Sequence, residues 1–370
     1  MVGSDEVRVE GLTTAVYQIP TDAPEADGTL TWDATTLVLV EATGGGASGL
    51  GYTYAGAGCK PVVDGPLAAV VTGRPALDVP GSSQAMVAAV RNLGRPGLVS
   101  CAISAVDTAL WDLKAKLLDL PVCGLLGTVR DAVPIYGSGG FTTYDDATAA
   151  AQLQRWVGEW DIPRVKIKIG ESWGTREPRD LARIAFARKV IGPDAELYVD
   201  ANGGYRRKQA IRIANAMAES DVIWFEEPVS SDDLDGLREV RDQTRPDTAA
   251  GEYGYDLAYL ARMVTASAVD CLQIDVTRCG GITEWVRVAA VAAAHNLDVS
   301  GHCAPNLHAH VAVSVPNLRH LEYFHDHHRI ESMLFDGALD PRGGALRPDR
   351  TRPGLGLAFK HPDAEVFRVA

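Results

Sequence analysis

The sequence predicts an α/β fold: a TIM-type (β/α) barrel behind an N-terminal α+β capping domain. Three observations carry that expectation. Ionisable side chains recur at the ends of short apolar runs: Lys168 in Val165-Lys166-Ile167-Lys168, Asp200 after Leu197-Tyr198-Val199, Glu226 after Val222-Ile223-Trp224-Phe225, and Glu252 after Ala249-Ala250-Gly251. Asp275 after Leu272-Gln273-Ile274, His302 after Val299-Ser300-Gly301, and Glu322 after Leu318-Arg319-His320-Leu321 complete the series. From Lys168 to Glu322 the steps are 32, 26, 26, 23, 27 and 20 residues, about one strand-plus-helix unit each. Finally, 370 residues suit a barrel of about 250 residues plus a smaller partner. Residues at the C-terminal ends of barrel strands converge on one face, so seven such groups in succession predict one shared site.

Taken in order, residues 1–130 are expected to form the capping domain. Val7-Arg8-Val9, Thr14-Ala15-Val16-Tyr17 and Thr36-Leu37-Val38-Leu39-Val40-Glu41 read as short strands of an antiparallel sheet, the last closed by the turn Thr43-Gly44-Gly45-Gly46. Pro20 to Trp32 and Gly49 to Gly58 read as loops. Residues 83–127 read as helical. The clearest helix, Ala102 to Leu118, places Ile103, Val106, Leu110, Leu113 and Leu117 on one face, with Asp107 and Asp112 on the polar remainder. The barrel is predicted over 131–342, opening with Val133-Pro134-Ile135-Tyr136-Gly137. Thr283 is the expected N-cap of an alanine-rich helix running to about His295. Residues 343–370, rich in Gly, Pro and Arg in their first half, are expected to return over the cap.

An apolar share of 46% and a charged share of 22% describe a globular chain. Its net charge of -13 argues against a nucleic-acid surface, which needs clustered Lys and Arg. Met1-Val2-Gly3-Ser4-Asp5-Glu6 has neither the basic nor the apolar segment of a secretory signal, so a cytoplasmic location without membrane partners is expected. The six cysteines contain no C-x-x-C pair and read as free thiols, with Cys279 and Cys303 close enough to strand ends to line a pocket.

Asp200, Glu226 and Glu252 end three successive strands, and three carboxylates at one barrel mouth would repel. A divalent cation resolves the conflict, and all-oxygen ligation points to Mg²⁺ rather than zinc. Lys166 and Lys168 alternate on one strand and share a face. A lysine held beside a cation has its ammonium form disfavoured, which brings it towards a general base. Asp275 and His302 can form a carboxylate–imidazole pair, a second acid/base. Bases on two faces with a Lewis acid between them suit removal of a proton α to a carboxylate. Glu322 could hydrogen-bond the developing oxyanions if crowding keeps it protonated.

These residues resemble the enolase superfamily, and within it the mandelate racemase subgroup. The resemblance rests on Lys166-Ile167-Lys168, Asp200-Ala201-Asn202, Glu226-Glu227-Pro228, Gly251-Glu252, Asp275 and Gly301-His302, with Ala105 to Leu113 in the cap. It implies a modified (β/α)7β barrel and one Mg²⁺ per subunit on Asp200, Glu226 and Glu252. It also implies Lys168 and the His302–Asp275 dyad as bases, Lys166 on the substrate carboxylate, Glu322 as hydrogen-bonding acid and Asn202 as a substrate contact. The cap loops become lids, with Trp32 and Tyr54 as substrate-facing candidates, and the assembly becomes a homo-oligomer, an octamer or a dimer. The expected activity is dehydration of an acid sugar to a 2-keto-3-deoxy acid. Racemisation or epimerisation, cycloisomerisation and a non-catalytic sugar-acid binder are the alternatives.

Overall fold

The computed structural model describes residues 7–370; Met1 to Glu6, the stretch inspected for a leader, lie outside them. The barrel strands are β4 (Val133–Gly139), β5 (Arg164–Lys168), β6 (Glu196–Asp200), β7 (Val222–Glu226), β8 (Asp247–Ala250), β9 (Cys271–Ile274), β10 (Asp298–Gly301) and β11 (Leu318–Phe324). Each pairs in parallel with the next, and β11 pairs with β4 to close the ring. Apolar strands buried on both faces and joined by helices close in this way because closure leaves no unpaired edge. Seven helical crossovers join the eight strands, as (β/α)7β requires, and a further helix follows β11.

The cap sheet is β1 (Gly11–Ala26), β2 (Thr31–Gly44) and β3 (Ala47–Tyr54), antiparallel in that order. A helical stretch over residues 59–71 lies against β1; α1 (Val79–Ala89) packs behind that stretch, and α2 (Leu98–Leu117) covers β2 and β3. The crossover helices are α3 (Asp146–Gln154), α4 (Glu177–Ile191), α5 (Arg207–Ala216), α6 (Leu234–Gln243), α7 (Leu257–Thr265), α8 (Gly281–Ala294) and α9 (Pro305–Ala312), with α10 (His325–Leu334) after β11. The tail runs back to the cap, where the N–H of Val16 donates to the carbonyl of Ala370 at 2.8 Å. None of the described helices is long and apolar enough to cross a membrane.

Both expected loops turn out to be largely strand. Pro20 to Trp32 is the far end of the β1–β2 hairpin, whose register shifts between Pro20 and Glu25, and only residues 27–30 form its turn. Asp27 Oδ1 closes that turn by accepting from the N–H of Leu30 at 2.7 Å. Gly49 and Gly51 lie inside β3, where α2 rests directly on the strand. A Cβ at Gly49 would fall 2.2 Å from the Ala109 carbonyl oxygen, and one at Gly51 2.1 Å from that of Ala105. Those glycines mark close backbone approach rather than a turn.

The polar face assigned to α2 is also corrected, because Asp107 and Asp112 are both buried. Asp112 accepts the N–H of Leu50 and that of Leu355, each at 2.6 Å, and pairs with Lys116 at 2.7 Å, so one carboxylate ties β3 and the tail to α2. Asp107 accepts from the Thr283 N–H at 2.9 Å and its hydroxyl at 2.6 Å. Thr283 is therefore not the N-cap of α8: the N-cap is Gly280, three residues earlier, and a carboxylate from the cap domain satisfies the first turn.

Candidate active site

Strand register assembles the floor of the site. Lys168 on β5 lies opposite Asp200 on β6, and Asp200 opposite Glu226 on β7, so three charged groups share one ring of the barrel. Asp275 and His302 each follow the last residue of their strand by one position, and Glu252 follows β8 by two. Glu322 departs from the strand-end pattern, since β11 runs two residues past it. All seven are buried.

Oxygens of Asp200, Glu226 and Glu252 lie within 4.8 Å of one another. Their burial, their all-oxygen donor set and Glu252 Oε2, which is buried with no hydrogen-bond donor, fit a hard divalent cation. Glu226 is steadied from below, accepting from Trp224 Nε1 at 2.9 Å and Gln273 Nε2 at 3.1 Å. Burial raises its carboxyl to about 8, with Lys166 pulling down and Asp200 pushing up.

Lys168 Nζ lies 2.5 Å from Asp200 Oδ2 and lines the cavity. Lys166 is fully buried, bonded to Glu226 and, at 2.7 Å, to Glu322, and is absent from the cavity wall. The contacts among these side chains by themselves act against the neutral amine. Burial depresses both ammonium groups, but the carboxylates outweigh it, Glu226 and Glu322 for Lys166 and Asp200 for Lys168, and both end above the ordinary lysine range. Burial favours the neutral form of Glu322, yet Lys166, His302 and Lys168 hold its carboxyl well below the usual carboxylate range. It accepts from Ser138 Oγ at 2.6 Å and the Cys303 N–H at 3.0 Å.

His302 Nδ1 lies 2.7 Å from Asp275 Oδ2, which leaves Nε2 for chemistry. Glu252 Oε2 is 3.2 Å and Glu322 Oε2 3.6 Å from Nε2. Burial lowers the imidazole, but Glu252, Glu322 and Asp275 more than offset it, and the net shift is upward. Asp275 itself is oriented by the Thr277 N–H and hydroxyl, both at 2.7 Å.

Above this floor is a cavity of about 330 Å³, lined by Lys168, Asn202, Glu252 and His302 from the barrel and by Trp32 and Tyr54 from the cap. Asn202 Oδ1 is buried without a partner. Trp32 and Tyr54 reach the cavity with their rings, because their polar atoms are engaged elsewhere. Trp32 Nε1 donates to Glu25 Oε2 at 2.7 Å, and the Tyr54 hydroxyl donates to Glu331 Oε1 at 3.4 Å. Cys303 lines the cavity and Cys279 does not, although all six cysteines are buried and free.

Sequence reasoning missed Arg278, Gln273, Asp27 and His327. Arg278 sits 3.2 Å from Glu252 Oε1 and 3.3 Å from Asp275 Oδ2, joining the metal set to the dyad. Its position three residues after Asp275, just past a strand end, was a usable signal. His327 carried none, being one histidine in the run His325-Asp326-His327-His328.

Residues 11–127 match the mandelate racemase / muconate lactonizing enzyme N-terminal domain, and residues 148–364 the enolase C-terminal domain-like family. The chain is 32% identical over 271 residues to the L-talarate/galactarate dehydratase of Salmonella typhimurium, covering 72% of this chain and 65% of that enzyme. It is 31% identical over 361 residues to the 3,6-anhydro-alpha-L-galactonate cycloisomerase of Streptomyces coelicolor, covering 95% and 98% of the two chains. Among solved structures, a mandelate racemase/muconate lactonizing enzyme-like protein from Rubrobacter xylanophilus superposes with a TM-score of 0.94 at 50% identity, covering 98% and 100%. A racemase from Streptomyces coelicolor A3(2) with bound magnesium does so with a TM-score of 0.91 at 30% identity, covering 98% and 100%. Fold, matched domains and relatives agree that this chain belongs to the mandelate racemase / muconate lactonizing enzyme family of the enolase superfamily, whose metal is magnesium.

Proposed function

We propose that the protein removes the proton α to the carboxylate of an acid sugar and dehydrates the product to a 2-keto-3-deoxy acid. The observation that carries this reading is the pair of cavity-facing bases, Lys168 and the Asp275-bound His302. They stand on strands separated by β11 and β4 and flank the Asp200, Glu226 and Glu252 carboxylates. In this reading those three hold Mg²⁺, which supplies positive charge to the substrate carboxylate as the proton leaves.

The chain's own groups do the rest. One base accepts the C2 proton; Lys168 can be that base only once Asp200 turns from its Nζ to the metal, which leaves burial and Lys166 to favour the neutral amine. His302, once protonated, gives a proton to the C3 hydroxyl, which departs as water, and the resulting enol tautomerises to the ketone. Asp275 keeps the proton of the neutral ring on Nδ1, so that Nε2 handles the transferred one. Lys166 and Glu322 make a buried ion pair beneath the floor. Lys166 meets the substrate carboxylate only if Glu226 turns from it to the metal. Asn202, with its unpartnered Oδ1, accepts from a substrate hydroxyl.

Cycloisomerisation is the second reading, favoured by the near full-length similarity to a cycloisomerase. The relatives include enzymes named for mono- and diacids, so similarity alone leaves the substrate open. Proton NMR in D₂O with Mg²⁺, following the C2 proton across mono- and diacid sugars, tests the proposal. Exchange with formation of a keto-deoxy acid is the expected result. Exchange with only a ring isomer or stereoisomer replaces dehydration with cycloisomerisation or epimerisation, and no exchange with any acid overturns the enolate step.

A further inference from the structure

The part of the cavity wall built by the cap and by α10 has a chemistry of its own. Trp32 and Tyr54 turn ring surface to the cavity and their polar atoms away from it. Ala34, Ala55 and Phe324 extend that apolar surface. Asp27 adds a carboxylate, fixed by its turn: Oδ1 accepts from the Leu30 N–H at 2.7 Å and the Thr29 hydroxyl at 3.0 Å.

Thr35, Thr36 and His327 are the polar side chains left on this wall, and the Thr35 hydroxyl is given to Asp326 Oδ2. The His327 ring stacks on Tyr54 with centroids 3.5 Å apart and planes 16° from parallel, and Phe324 meets the same ring edge-on at 5.2 Å. The backbone N–H of Ala304 donates to its Nδ1 at 3.3 Å. That contact requires Nδ1 to carry no proton, so the ring is neutral and its proton is on Nε2. Burial and the neighbouring His302 push the ring down to about 3, which keeps it neutral. No acceptor among the described residues takes the Nε2 proton, and the ring lines the cavity.

The lysine and arginine on the cavity wall are both already paired. Lys168 faces Asp200 at 2.5 Å, and Arg278 faces Glu252 and Asp275. A carboxylate at the far end of a substrate would therefore lose its water against aromatic rings and a like charge, with no free cation to compensate. A hydroxylated, uncharged chain would instead find hydrogen-bonding groups, the fixed His327 donor among them, and apolar ring surface.

We propose that the cavity takes a monocarboxylate with a hydroxylated, uncharged far end, that His327 Nε2 donates to one of its hydroxyl oxygens, and that Asp27 with the apolar cap wall excludes diacids. This deepens the enolate reading and rests on it.

The test uses the Mg²⁺-loaded enzyme and pairs of six-carbon acids matched in configuration from C2 to C5, one an aldonate and the other its aldarate. In the best-used pair, kcat/KM for the aldonate is expected to exceed that for the aldarate by about tenfold or more, with most of the gap in KM. Equal or better use of aldarates overturns the inference while leaving the enolate step standing. Absence of C2 exchange with every acid overturns both. His327→Phe keeps the ring stack but removes the donor. It should raise KM for the aldonate about tenfold, change kcat little, and abolish the preference over the one deoxy analogue lacking the hydroxyl that His327 reads. A merely structural role would lower activity alike on the parent acid and all its deoxy analogues. Asp27→Asn preserves the turn and should improve aldarates selectively; an unchanged ratio would remove Asp27 from the proposal.

Discussion

The floor and the cap wall of this cavity are built on opposite plans. On the floor every ionisable side chain meets at least one other charge: Lys168 meets Asp200, Lys166 meets Glu226 and Glu322, and His302 meets Asp275, Glu252 and Glu322. Those groups sit on or just beyond paired parallel strands, whose register fixes their relative positions. On the cap wall, Trp32 and Tyr54 spend their polar atoms inside the protein, and their rings face the cavity. On the proposed reading, the reaction is tied to the barrel's hydrogen-bond register, while selectivity depends on a hairpin held by individual side-chain contacts. Substitutions on the floor should cost chemistry, and substitutions on the wall should cost discrimination.

The largest effects are expected where the floor's charge balance fails. Glu226→Gln or Glu252→Gln should lose Mg²⁺ binding by calorimetry and lower C2 exchange by at least about 10²–10³-fold. Full activity of either variant, or of the wild type in excess chelator, would overturn the metal assignment. Next come the two bases. Lys168→Ala and His302→Asn should each cost about 10²–10⁴-fold in turnover while Mg²⁺ affinity changes little. Followed with both C2 epimers, the pair also sharpens the roles, since the base facing a given proton is the one whose loss stops its exchange. Normal turnover in both variants would sink the two-base arrangement.

The difference between floor and wall also explains what could be read beforehand. A carboxylate or lysine that ends an apolar run breaks a pattern, and the break recurs at the length of a βα unit, so Asp200, Glu226, Glu252, Lys168 and the Asp275–His302 pair were legible as one set. The barrel was legible for the same reason. The protonation states were not. Whether Lys166 and Glu322 are charged depends on which buried groups touch them, and sequence spacing carries no such distances. The cap misled through its glycines. Gly49 and Gly51 resemble a loop in sequence, but they are spaced two apart so that α2 can lie on β3. Asp107, Asp112 and Thr283 were misjudged because a helix's polar face looks the same whether it meets water or a second domain. His327 depends on a ring stack with Tyr54, some 270 residues earlier, and no local pattern encodes that.

On the wall the expected effects are smaller. Trp32→Phe keeps a ring in the cavity but leaves Glu25 Oε2 without its donor. KM should rise several-fold with little change in kcat, and an equal fall in kcat would mean that Trp32 contributes to the chemistry itself.

The smallest effect concerns Glu25, which is fully buried behind Trp32 with Oε1 unpartnered. Burial raises its carboxyl to about 8, Asp326 and Asp22 push the same way, and the Trp32 hydrogen bond and Arg329 pull against them. In the unfolded chain the same carboxyl titrates near about 4.3. Between those values the folded protein binds a proton that the unfolded chain does not, so this group's contribution to stability is complete below about pH 4 and is lost as pH rises towards 8. Glu25→Gln mimics the protonated form and removes the dependence. From pH 5 to 9 the wild type should therefore lose on the order of a few degrees more in Tm than Glu25→Gln, with the excess amide exchange confined to the β1–β2 hairpin. Identical pH slopes would mean that the hairpin's seat on the barrel does not depend on this proton.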